Sequence, residues 1–199
     1  MQETSVSEIG NRLTQAGRLK TKPLCVYGSQ EIPEGAVAST SVSSCVARAI
    51  FALATREKMP PIYVTANMPE RCCPGGLAHF GFSEFDTGIK YFVSTGSKNY
   101  RNGAAEFLRA SPELVEENRR LAGKITPPGK YLVIQSCKDL VNEDREVRSI
   151  LCFGVAEQIR NLCSLVQFRS QHPFREVLIP LCGGNGGECS NRRGLCGPV

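Results

Sequence analysis

The chain has 199 residues, 41% of them hydrophobic and 22% charged, with a net charge of +5. That length and balance support a packed core and exclude a disordered or collagen-like chain. Ten cysteines stand beside two histidines and no tryptophan. This is too dilute for a small disulfide scaffold, where cysteine exceeds about 8–10%, yet high for an ordinary globular chain.

Residues 3–17 carry Val6, Ile9, Leu13 and Ala16 at helical spacing and predict an amphipathic helix. A short strand follows over 23–28 (PLCVYG), then a loop over 29–41. Ser43 and Ser44 are suited to cap a helix over 44–57, which Met59-Pro60-Pro61 ends. Residues 62–65 (IYVT) predict a strand, 67–76 a loop with Cys72 and Cys73, and 77–82 one helical turn. The β-branched and aromatic run over 89–95 predicts another strand. Two helices are expected over 101–110 and 111–122, the second opened by Ser111 and Pro112. Strands are expected over 131–136 and 150–154, a helix over 155–168 and a last strand over 176–181. The fold class that follows is α/β or α+β: a mixed sheet of about six strands with flanking helices, and one βαβ unit within 131–181. The domain reading is a single domain over 1–181 and a Gly/Cys-rich segment over 182–199.

The N-terminal residues lack the charged and apolar regions of a secretory signal, and no apolar run reaches the roughly 18–20 residues of a membrane span. The expected location is therefore the cytoplasm, where thiols stay reduced. Basic clusters at 18–22, 119–124 and 192–193 are short and separated, so neither nucleic acid nor membrane is the expected partner.

The cysteines differ by position. Cys25, Cys152 and Cys163 fall on apolar strands or an apolar helix stripe and read as core. Cys137 follows a strand end and reads either way. Cys45 falls at a helix start, where unpaired N–H groups stabilise a thiolate. Cys72 and Cys73 precede Pro74-Gly75-Gly76, whose glycines let backbone N–H groups approach sulfur. Cys182, Cys189 and Cys196 recur every seven residues in a Gly-rich segment. Zinc sites favour ligand pairs two to four residues apart, often with His. His79 and His172 read as surface or hydrogen-bonded residues, so zinc is the lesser expectation. Iron–sulfur clusters need only thiolates that converge in space, and the scattered cysteines suit them better.

These pieces resemble one family. LKTKPLCVYG, a Cys-led Ala-rich helix at Cys45, IYVTANMPERCCPGGLAHFGF, a helix ending near LVQF and the Gly-rich GGECSN are similar to the ArCR-type domain of unknown function 169 of archaea and anaerobic bacteria. The resemblance covers about residues 10–190. It implies three cysteine positions, at Cys45, at Cys73 (or its neighbour Cys72) and at Cys189, and an anaerobic setting that suits an oxygen-sensitive cluster. The doubled middle cysteine departs from the pattern, and Cys182 and Cys196 have no counterpart in it.

The functional expectation is an iron–sulfur protein, of the 4Fe–4S type, acting in electron transfer or cluster-dependent redox chemistry, with a redox partner protein. Cys45, Cys73 and Cys189 are the expected thiolates, with Cys72 or Cys182 as the fourth. A homo-oligomer is compatible with this. The alternatives are a small-molecule or partner-binding module whose thiols are structural only, and a thiol-dependent enzyme using Cys73. Whether the chain is an enzyme stays open.

Overall fold

The structure, a computed structural model, describes residues 4–122, 126–140 and 145–168. The first helix, α1 (Val6–Gly17), is capped by Ser5, whose Oγ accepts from the Glu8 N–H at 3.1 Å. It leads into β1 (Leu24–Ser29), then β2 (Val37–Ala38), α2 (Val46–Thr55) and β3 (Ile62–Val64). Next come α3 (Pro74–His79), α4 (Ile89–Val93), α5 (Pro112–Ala122), β4 (Tyr131–Ser136), β5 (Val147–Leu151) and α6 (Ala156–Gln167). The five strands form one mixed sheet in the order β2-β3-β4-β1-β5. Among the described strands only β2 and β3 run parallel; the β3–β4, β4–β1 and β1–β5 pairs are antiparallel.

Strand alternation divides the core. Leu24 and Val26 of β1 join Ile62, Val64, Leu132 and Ile134 on the face covered by α2. That helix buries Val46, Ala49, Ile50, Leu53 and Ala54, the i, i+3, i+4, i+7, i+8 stripe of an amphipathic helix. Cys25 and Tyr27 point to the other face with Val133, Cys137 and Leu140, where Val6 of α1 packs. Leu162 of α6 lies against Gly17 of α1.

The mixed α/β architecture is as expected, with five strands described. The expected strand over 176–181, and the βαβ unit that needs it, lie outside the described residues. A two-residue strand, β2, sits inside the expected loop, and with α2 and β3 it makes a βαβ unit nearer the N-terminus. The expected strand over 89–95 is instead α4. Its apolar residues Ile89, Phe92 and Val93 have i, i+3, i+4 spacing, which overrides the β-favouring composition, and Phe92 and Val93 bury against Val115 of α5. The expected helix over 101–110 shrinks to one 3-10 turn, Arg101–Gly103. Positive φ at Arg101, Asn102, Gly103 and Phe107 stops it, and the N–H groups of Glu106, Phe107 and Leu108 bond to carbonyls of Phe92, Ser94 and Val93. The strand expected over 150–154 ends at Leu151, so Cys152 lies beyond it and is half-buried.

One close approach tests the sheet. A Cβ on Gly28 would sit 2.2 Å from the carbonyl oxygen of Pro128, a backbone atom that no side-chain rotation can move away. Gly28→Ala is expected to cost about 1–3 kcal/mol by overpacking, against the fraction of a kcal/mol that removing a strand glycine otherwise returns. A urea midpoint equal to or above that of the parent chain would contradict this packing.

Candidate thiol site

The parallel pair determines where the site lies. In open α/β sheets, ligands gather outside the carboxyl ends of strands. The chain leaving β2 makes a 3-10 turn, Ser39–Ser41, and enters α2 with Cys45 as its N-cap. The chain leaving β3 returns through Met68 and enters α3 with Cys73 as its N-cap and Pro74 in the first turn. Two cysteines 28 positions apart are thus set at two helix starts at the same end of the sheet.

The expected cap is displaced. Ser43 and Ser44 lie before α2 rather than capping it: the Ser43 Oγ accepts from the Cys45 N–H at 3.1 Å. The Ser44 carbonyl accepts from the Cys73 N–H at 2.8 Å, which ties the two segments together. Gly76 completes the approach, since a Cβ there would meet Val46 Cγ2 at 2.7 Å and Cys73 Sγ at 2.9 Å. Cys45 is 1% exposed, while Cys72 and Cys73 are half-buried against the α2-side core.

The Cys73 sulfur collects hydrogen bonds. Chief among them is the one from the Cys72 thiol; the N–H groups of Val46 and Gly76 and the thiol of Cys45 add to it. Together they outweigh burial and hold the Cys73 thiol down to about 5. The anion at the start of α2 is therefore a thiolate from elsewhere in the chain. Cys72 is pushed up, because its proton is shared with Cys73 and because burial and the Cys73 charge disfavour a second anion.

The structure brings Cys45, Cys72 and Cys73 close together; Cys182, Cys189 and Cys196 lie outside the described residues. No disulfide joins any of the seven described cysteines. Among the described residues, no group of three or more His, Cys, Asp or Glu side chains is arranged to hold a metal ion. Cys25 is core as expected, and Cys163 is only half-buried. His79 stacks edge-on against Phe85 at 4.8 Å, as a structural histidine, and His172 is outside the described residues. The glycine N–H expected to approach the sulfur is that of Gly76; sequence reasoning missed the donor Val46. It also missed a second grouping, Cys25 with Cys137, at the opposite end of the sheet.

Residues 12–191 match the profile of the uncharacterised ArCR family, the domain of unknown function 169. The chain belongs to that family. No curated protein and no solved structure matches it. Among the described residues of this ArCR-family chain, no helix is long and apolar enough to cross a membrane.

Proposed function

We propose that this ArCR-family chain binds an iron–sulfur cluster of the 4Fe–4S type and works in electron transfer. Cys45 and Cys73 are its thiolates from the described residues, Cys189 joins them from the C-terminal segment, and Cys72 or Cys182 is the fourth. The observation that carries this reading is that thiols from two distant segments, Cys45 on one side and Cys72 and Cys73 on the other, meet around the Cys73 sulfur, where the Cys73 N–H ties the segments together by donating to the Ser44 carbonyl. When bound, such a cluster supplies one-electron transfer at a potential set by its hydrogen bonds and its exposure. The chain's own part is to keep Cys73 deprotonated through the Cys72 thiol first and then Val46 and Gly76, to fix its position through Ser44, and to back it with the apolar wall of α2. The half-buried Cys72 side is where a redox partner protein would approach, in a cytoplasmic setting.

Anaerobic purification tests this. A brown protein with broad visible absorbance and matching iron and sulfide contents is expected; a colourless, iron-free preparation overturns it. A second reading, a thiol-dependent enzyme with Cys73 as nucleophile, is favoured by the N–H donors on that sulfur. It predicts full activity in iron-free protein. If the chain were a binding module with structural thiols, changing Cys45, Cys73 and Cys189 singly to Ser would alter neither stability nor bound metal.

A further inference from the structure

Cys25 and Cys137 take no part in the site above. They lie on the other face of the sheet and are 0% and 1% exposed. The β1–β4 register pairs Leu24 with Ser136, and the Cys137 N–H donates to the Pro23 carbonyl at 2.9 Å. Cys25 and Cys137 are therefore diagonal neighbours on one face. Their side chains form a chain of hydrogen bonds: the Cys137 thiol bonds to the Cys25 sulfur, and the Cys25 thiol donates to the Gln135 carbonyl at 3.6 Å. Above them lies α1. A Cβ on Gly10 would come within 2.6 Å of the Cys137 Cβ, so the glycine lets the helix backbone rest directly on this thiol.

We propose that Cys25 and Cys137 are a dithiol that closes to a cross-strand disulfide, taking a low-molecular-weight disulfide as oxidant when α1 lifts. The Cys25 thiolate attacks one sulfur of the oxidant, whose S–S bond breaks and releases one thiolate that takes up a proton. Cys137 then loses its proton and attacks the Cys25 sulfur of the mixed disulfide, expelling the second thiolate. Two protein thiols are oxidised to one disulfide, and the oxidant is reduced to two thiols. Of the two, Cys25 is the first nucleophile: the hydrogen bond from Cys137 lowers its pKa, while the same bond, burial and the charges of Cys25 and Cys152 raise that of Cys137. Diagonal Cα atoms in an antiparallel pair are about 7–8 Å apart, beyond the usual disulfide span of about 4.4–6.8 Å. Closure must draw the strand ends together, so the bond is strained and readily reduced. It is a reversible redox mark on the sheet, separate from the Cys45–Cys73 site.

The test treats the reduced full-length chain with glutathione disulfide without oxygen, quenches in acid, blocks thiols with N-ethylmaleimide after denaturation and maps peptides without reduction. A linked Cys25–Cys137 peptide is expected to be the main bridge, and dithiothreitol should remove it. In Gly10→Ala, where α1 is pushed off Cys137, the bridge should form several-fold faster. In Cys137→Ser, Cys25 should stop at the mixed disulfide. Full blocking of Cys25 and Cys137 in the parent chain, with oxidation confined to Cys72, Cys73 or Cys152, would overturn the proposal, as would a bridge from either residue to a different cysteine.

Discussion

Replacing Cys73 with serine should abolish the fast thiol reaction of the metal-free protein at pH 5.5. With a pKa of about 5, roughly three-quarters of Cys73 is thiolate at that pH, whereas an ordinary thiol near 8.5 is about one part in a thousand ionised. The more acidic thiolate is a weaker nucleophile, with a Brønsted slope of about 0.4–0.5. The net advantage of Cys73 is therefore roughly twentyfold at pH 5.5 and is gone by pH 8.5. Following the reaction with an aromatic disulfide reagent across pH checks this; an unchanged fast phase in Cys73→Ser would assign that phase to another thiol. The linkage has a definite sign. Since folding depresses the Cys73 pKa, deprotonation stabilises the metal-free fold above the ordinary thiol pKa, and that contribution is lost as pH falls through about 5. The difference in melting temperature between the parent chain and Cys73→Ser should thus be largest near pH 9 and narrow towards pH 5. The same variant should also lose the iron of the anaerobic preparation, while Cys163→Ser on α6 keeps it.

Ile134→Ala should be among the most damaging core changes, costing about 2–5 kcal/mol. Ile134 lies in β4, the central strand, and is 0% exposed. It pairs with Ile62 on one side and Val26 on the other. Above that row runs the buried stripe of α2. Truncation leaves a cavity walled by rigid strands on both sides, which cannot collapse as a site under a loop could. For a chain of this length the loss corresponds to a fall in melting temperature of about 5–15 °C. Thermal unfolding of the metal-free proteins measures it, and a fall under about 2 °C would show that the row is not the centre of the core.

Much of this was legible where one element decides its own form. The apolar stripe of α2 and the Ser-Pro opening of α5 carry their structure in local spacing. The turn before β4 is set by Pro127, Pro128 and Gly129. Reading failed where composition and spacing disagreed, as in α4, whose aromatic and β-branched residues suggested a strand while Ile89, Phe92 and Val93 kept helical spacing. It also failed where tertiary pairing alone defines an element. Two residues, Val37 and Ala38, are a strand only because β3 lies beside them. The candidate site divides along the same line. The helix-start position of Cys45 is legible on its own, whereas Cys73, expected in a loop, is the N-cap of a helix that begins at Pro74, and the meeting of the two depends on the parallel β2–β3 pair. Cys25 sits in the core as its apolar strand neighbours predict; its neighbour Cys137 is fixed by a strand register that no local pattern encodes.

The position of β1 has a consequence for synthesis. This strand lies between β4 and β5, both made much later. About a hundred residues separate the end of β1 at Ser29 from the start of β4 at Tyr131. At about 5–20 residues per second on the ribosome, Leu24, Cys25, Val26 and Tyr27 wait roughly 5–20 s with neither neighbouring strand available. During that time the β2–α2–β3 unit, whose parts are close in sequence, can form. The nascent chain therefore carries an apolar strand with two open edges while its thiol-bearing helix starts are already taking shape. That interval is when an assembly factor or a chaperone would have reason to hold it.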